Sequence, residues 1–196
     1  VGGAALVLNT TGGSNIAMGN QALYANTTGN SNTAIGRQAV MTNTTGSNNT
    51  GLGYATLLNA NGGDHNTAVG ASAGTGVTTG GSNTFLGFTA GSNVTTGSNN
   101  IIIGAWQAAP VATSSDQLNI GGAIYGNLSN GNIGIGSATL TTGARLDITG
   151  TGAASSSIVI PRDTVANRPA TGVNGMIRYA TDTNKFEAYE NGAWTK

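Results

Sequence analysis

From its first residues to about residue 104 the chain alternates short apolar runs with polar, glycine-punctuated stretches on a fixed beat. An apolar run such as Thr33-Ala34-Ile35 ends on a glycine. A second run such as Ala39-Val40 follows, and a stretch of Asn, Thr, Ser and Gly leads to the next copy. Glycine recurs every seventeen residues, at Gly2, Gly19, Gly36, Gly53, Gly70, Gly87, Gly104 and Gly121. Directly before it stands an aliphatic residue: Val1, Met18, Ile35, Leu52, Val69, Leu86, Ile103 and Ile120. Four residues before it stands an asparagine, at Asn15, Asn32, Asn49, Asn66, Asn83 and Asn100. Ten residues after it comes a second glycine column, Gly12, Gly29, Gly46, Gly63, Gly80 and Gly97.

A period this short predicts a solenoid. Seventeen residues cannot hold two packed helices, and glycine at this density would break any helix. Two short strands per copy, "TAIG" and "QAV", joined by turns, fit instead. Coils stacked at the strand spacing of roughly 4.7–4.9 Å place like residues over like. Hence Asn32, Asn49 and Asn66 are expected to form a ladder, and Ile35, Leu52 and Val69 a continuous inner stripe. Gly36, Gly53 and Gly70 are expected at corners that need positive φ or close backbone approach. The fold class is all-β, a parallel β-roll.

Such a coil has a thin core. In the third copy it comprises Ala34, Ile35, Ala39 and Val40, set against an ordering cost of about 1–2 kcal/mol per residue. The expected remedy is association of several rolls about a shared axis, burying a second apolar face. Gly74 and Gly91 replace the Leu or Val of earlier copies, so those coils should pack differently.

Composition draws the boundaries. Glycine supplies 33 of 196 residues, more than twice the usual share of about 7%, without a collagen triplet. Arg37, Asp64 and His65 are the only Arg, Lys, Asp, Glu or His in the first 115 residues, and the other twelve acids and bases follow. Three segments result: a repeat array over 1–104, an eroded repeat and connector over 105–137, and a β-rich module over 138–196. Zero net charge argues against a nucleic-acid partner, which needs a basic face. No apolar run is long enough to insert in a membrane. Val1 in place of a start methionine suggests an excised piece whose targeting sequence is missing. In the last segment Asn191-Gly192 signals a type I′ hairpin, which pairs Glu190 with Ala193, Tyr189 with Trp194 and Glu187 with Lys196.

Little of this suggests catalysis, and the chain is not expected to be an enzyme. His65 beside Asp64 occupies a variable loop position with no nucleophile nearby. One histidine and no cysteine make a metal site unexpected, and no cofactor is expected. "GNIGIG" lacks the helix and lysine of a phosphate loop. The sequons at Asn9, Asn26 and Asn43 arise from the repeat. The better candidates are aromatic. Tyr189, Trp194 and Tyr179 offer a glycan-binding set, with cross-strand packing as the plainer explanation of the first two. Trp106 is expected to plug the end of the roll. Thr33, Thr50, Thr67 and Thr84 would stack, which leaves a single-chain solenoid with an ice-binding or other ligand-binding face as the alternative.

The phrases "NTAIGRQAV", "NTAVGASAG" and "NTFLGFTAG" resemble the head repeats of trimeric autotransporter adhesins. The longer form with "NTTGSNNT" is closer to repeats of phage tail fibres, and to the mosaic adhesive trimer fibres of predatory bacteria. "LNIGGAIYG" and "RP…GMIRYATDTNKFE…W" resemble connector and terminal modules of such fibres. The resemblance covers residues 1 to about 104 most strongly, with a period longer than that of the adhesin heads. It implies a left-handed parallel β-roll, three rolls packed together, and in many relatives a terminal chaperone that is cleaved off. The function it implies is a structural and adhesive fibre segment, extracellular, on a cell surface or phage tail. Its partners would be two further copies and a surface polysaccharide or glycoprotein.

Overall fold

The computed structural model describes residues 2–148 and 160–195. The chain divides into two compact units, Val1–Thr151 and Gly152–Lys196. Both are all-β, and no α-helix occurs among the described residues.

The first unit is a parallel β-solenoid with the seventeen-residue beat. Strands β1 (Ile16–Met18), β2 (Thr33–Ile35), β3 (Thr50–Leu52), β4 (Thr67–Val69), β5 (Thr84–Leu86) and β6 (Ile101–Ile103) pair in parallel, each with the next. Like residues stand in register, as in Thr33, Thr50, Thr67 and Thr84. β7 (Gln117–Ile120) continues the stack. β8 (Ile124–Asn127) and β9 (Asn132–Ile135) turn back antiparallel, and β10 (Leu146–Ile148) closes the ten-stranded sheet beside β9.

The expected inner stripe of Ile35, Leu52 and Val69 is corrected. Side chains alternate across a strand, and Asn32, just before β2, already points inward. Thr33 therefore points out, Ala34 in and Ile35 out. The core column is Ala34, Ala68, Phe85 and Ile102, all fully buried, with Gly51 between them. Leu52 is 44% exposed and Leu86 47%, while Ile35 and Val69 are half-buried.

The second apolar run is not a strand either. Gln38 and Val40 both have positive φ, 59° and 52°, and Ala55 and Leu57 repeat this one coil on. A β-branched residue in that region is strained. The ladder compensates: the Val40 N–H donates to Thr56 O at 2.8 Å and the Gln38 N–H to Asn20 O at 2.8 Å. The segment thus bonds to the coils on both sides, and Leu23, Val40 and Leu57 fill the core opposite the strands.

Two asparagine ladders run through the roll. Asn32, Asn49 and Asn66 are fully buried. The Asn49 N–H donates to Asn32 Oδ1 at 2.9 Å, and Asn49 Nδ2 donates to Gly63 O at 2.7 Å. In the second ladder, Asn43 Nδ2 donates to Asn26 Oδ1 at 2.8 Å, and Asn26 Nδ2 to Asn9 Oδ1 at 2.7 Å. That ladder stops where Ala60 replaces the next asparagine. Asn43 Oδ1 is consequently buried without a partner among the described residues.

The coils of Gly74 and Gly91 do pack differently, and Phe85 is the reason. A Cβ on Gly91 would lie 2.1 Å from Phe85 Cδ1, and one on Gly74 2.7 Å from Cδ2. The ring occupies the room that Leu or Val fills elsewhere. Gly91→Leu is therefore expected to be far more damaging in the parent than beside Phe85→Ala. Urea melts of the four-member cycle should show a favourable coupling of about 1–3 kcal/mol. Additive effects would mean that ring and glycines are not sharing one space.

The second unit is a four-stranded sheet ordered β11 (Arg162–Asp163), β12 (Ile177–Ala180), β13 (Lys185–Glu190), β14 (Ala193–Thr195). Asn191 and Gly192 both have positive φ, 51° and 81°, as a type I′ turn requires. The register pairs Tyr189 with Trp194 and Glu190 with Ala193. The expected Glu187–Lys196 pair lies outside the described residues. On its β12 side, Glu187 stands opposite Arg178.

Candidate functional site

Two surfaces stand out, one on each unit. On the solenoid, the outward residues of β1 to β6 make two columns. The first is Ile16, Thr33, Thr50, Thr67, Thr84, Ile101, and the second is Met18, Ile35, Leu52, Val69, Leu86, Ile103. Beyond the corner glycines, Tyr54 and Phe88 are also exposed. Trp106 does not plug the roll. It is 73% exposed and packs edge-on against Phe88 with ring centroids 4.6 Å apart. It stands in the repeat column of Gln38, Ala55, Ser72 and Thr89, all at positive φ, of which only Ala55 is buried. Asn119, at the inward position of β7, lies at the end instead, its Nδ2 donating to Ala108 O at 2.7 Å. The result is a long strip of aliphatic, aromatic and threonine side chains with Arg37 at its edge, 5.5 Å from the Tyr54 ring centroid. Strips of this kind mark interaction surfaces.

His65 and Asp64 are accounted for by the ladder. Asp64 Oδ1 accepts the Ser47 N–H at 2.6 Å, as Ser47 Oγ accepts the Asn30 N–H one coil earlier. His65 has φ of 60°, in a column with Ser31, Asn48 and Ser82. Of the sequon asparagines, Asn26 and Asn43 are fully buried, out of reach of any glycosylating enzyme once folded. No group of three or more metal-ligating residues occurs among the described residues. No helix among them is long and apolar enough to cross a membrane.

On the second unit the predicted aromatics separate. Tyr189 and Trp194 pack edge to face at 5.3 Å. Tyr179 lies on the other face of the sheet against Phe186, also at 5.3 Å, because β12 and β13 place Tyr179 opposite Phe186 and Arg178 opposite Glu187. The three do not form one site. Gly172 lets its loop close on Tyr189, since a Cβ there would sit 2.4 Å from the ring.

Beside Trp194 lies a cavity of about 420 Å³ that sequence reasoning missed. Pro161, Asp163, Asn167, Pro169, Arg178 and Trp194 contribute to its walls. Arg178 is 6% exposed, and its Nη2 donates to Asp163 O at 2.6 Å and Thr164 O at 2.8 Å. Glu187, 2% exposed, lies 3.6 Å from both Arg178 Nε and Arg168 Nη1. Neither carboxylate oxygen has a hydrogen-bond partner among the described residues. A buried charge held this loosely is costly and persists only through its paired arginines. Asp163 Oδ1 accepts from Asn167 Nδ2 at 3.0 Å and from the Thr164 N–H at 2.7 Å. Those bonds, with the charge of Arg178, hold its carboxyl below the usual 3.8. The Trp194 indole N–H donates to Pro169 O at 3.2 Å, which fixes the ring at the cavity.

No protein-family model, curated protein or solved structure matches the chain.

Proposed function

We propose that the chain is a structural and adhesive segment of an extracellular homotrimeric fibre, of a cell surface or a phage tail, that presents its C-terminal unit to a surface glycan. The observation carrying this reading is the outward aliphatic column. A roll whose inward strand residues are Ala34, Gly51 and Ala68, yet whose outward ones are Ile35, Leu52 and Val69, keeps its larger side chains for a second interface. Three rolls meeting on that column bury it, and three C-terminal units then bind with avidity, so that each site can be weak.

The test is mass by light scattering. The parent is expected near three times 19.3 kDa. Leu52→Asp is expected to leave a folded coil, since the side chain points outward, and to reduce the mass to that of one chain. A parent that is monomeric while its far-ultraviolet spectrum shows the β-roll would sink the trimer.

A second reading rests on a different observation: Thr33, Thr50, Thr67 and Thr84 do stand in register on one outward face. Repeated threonines at the strand spacing of roughly 4.7–4.9 Å suit an ice-binding face on a single chain. Thermal hysteresis from a monomeric solution would favour it over the fibre.

A further inference from the structure

We infer that the cavity beside Trp194 is a saccharide site that takes one neutral pyranose through a pair of hydroxyls on adjacent ring carbons. The inference deepens the adhesive reading and rests on it for its biological purpose, while the site itself stands on the geometry of the second unit.

The volume of about 420 Å³ lies in the range of small-molecule pockets. Its walls divide by chemistry. Trp194, Pro161 and Pro169 supply apolar surface, which suits the C–H face of a sugar ring. Asp163 and Asn167 supply planar polar groups, each offering two adjacent acceptor or donor positions. Planar groups of this kind match two neighbouring hydroxyls, each of which both donates and accepts.

Hydrogen-bonding capacity at these residues is left over. Both bonds to the Asp163 carboxylate fall on Oδ1, and Oδ2 accepts none among the described residues. Asn167 uses its Nδ2 on Asp163, and its Oδ1 likewise accepts none. Arg178 is more than nine-tenths buried; its Nε faces Glu187 at 3.6 Å and its Nη2 is spent on Asp163 O and Thr164 O, so it fixes the wall rather than offering a donor. Of the charged lining residues Arg162, Asp163 and Arg178, Arg178 is already engaged by Glu187, which lies behind the wall at 3.6 Å. The positions left open, Asp163 Oδ2 and Asn167 Oδ1, are both acceptors, the first anionic. Hydroxyl donors of a neutral ligand suit them, and an acidic group would meet the Asp163 carboxylate.

The structure also holds these groups in place. The Trp194 ring is fixed by its bond to Pro169 O and by Tyr189. Asn167 ends a 3₁₀ turn, Val165–Asn167, whose Val165 N–H donates to the Asp182 carboxylate at 3.1 Å.

The experiment uses the full chain with Trp106→Phe, so that indole fluorescence reports Trp194 alone. Methyl glucopyranoside is titrated in, with tetrahydropyran-2-methanol, which has the ring and one hydroxyl but no adjacent pair, as control. The expected result is a saturable change with Kd of about 1 mM for the glucoside and none for the control. Asn167→Ala, exposed and outside the strands, is expected to weaken binding by roughly tenfold with the melt unchanged. Equal responses to both probes, or none to either, overturn the site. So does a Trp194 signal that ignores the sugar and follows protein concentration, which would mean that a second copy fills the cavity. Adhesion to polysaccharide-bearing cells that survives while the glucoside fails to bind overturns this site and leaves the adhesive reading standing. Glucoside binding without adhesion does the reverse.

Discussion

Gly53→Val is expected to remove the cooperative melt of the coils around it and to be more damaging than Asn49→Leu. Gly53 has φ of +134°, a region that residues with a Cβ rarely adopt. Its neighbour one coil on stands directly over it. A Cβ here would lie 2.9 Å from the Gly70 carbonyl carbon and 3.1 Å from the Ala71 nitrogen. Both obstacles are backbone, so no side chain can swing aside. Relief requires separating two coils that are joined by the Gly70 N–H to Leu52 O and Ser72 N–H to Tyr54 O bonds, at 2.9 and 2.8 Å. Strain and lost ladder bonds together should exceed about 4–5 kcal/mol, the range reserved for exceptional substitutions. The site lies mid-array, and in a solenoid each coil is stabilised only by its neighbours, so the lesion splits one stack into two short ones. Calorimetry should show a broad transition at much lower temperature. A melt indistinguishable from the parent's would mean that the corner glycines are conserved in the repeat for no steric reason.

The period made most of the solenoid legible. Identical residues seventeen apart can satisfy one environment only by stacking, and the asparagine ladder and in-register threonines follow. The side on which Ile35 and Leu52 lie was legible only through parity. Once Asn32 is placed inside, alternation sends Thr33 and Ile35 out together, and hydrophobicity alone points the wrong way. Val40 misled for another reason. A β-branched residue reads as strand, yet bonds to the coils on both sides hold it at a φ that its own preference disfavours. Trp106 read as a cap because large apolar residues are expected indoors, whereas its place in the repeat is held by Gln38, Ser72 and Thr89, none of them buried.

The second unit was legible only where contacts are local. Asn191-Gly192 dictates its turn, and the turn dictates the Tyr189–Trp194 pair. The cavity depends on a crossing from Pro161 to Pro169 that packs against β12 and β14, distant in sequence and carrying no period. Arg178 and Glu187 gave one faint signal: opposite charges spaced to face each other across a hairpin. Nothing local revealed that both would be buried. Tyr179 was grouped with Tyr189 by residue type, although they fall on opposite faces. On β2 to β4 the same interplay of period and parity exposes Ile35, Leu52 and Val69 more than Ala34, Gly51 and Ala68, and the fibre reading grows from that inversion.

Asn49→Leu tests the polar half of the same design. Its carboxamide is fully buried, and leucine is close in size, so a fold stabilised only by apolar contact should accept the exchange. The hydrogen bonds predict otherwise. Asn49 Nδ2 donates to Gly63 O at 2.7 Å, and Asn49 Oδ1 accepts from the Asn66 N–H at 2.9 Å and from Asn66 Nδ2 at 3.1 Å. Asn66 Nδ2 keeps Gly80 O as its other acceptor, and the Asn49 backbone N–H keeps Asn32 Oδ1. Leucine therefore leaves two backbone groups, Gly63 C=O and Asn66 N–H, buried without a partner. At about 1–3 kcal/mol each, the loss is roughly 2–6 kcal/mol, partly offset by the added apolar contact. Asn49→Asp separates the causes, because a carboxylate still accepts from Asn66 but cannot donate to Gly63. Its melting temperature at neutral pH should also fall, and should recover part of the loss as acid protonates the side chain and restores a donor. If Asn49→Leu instead melted at or above the parent, the ladder would be a consequence of stacking and not one of its causes.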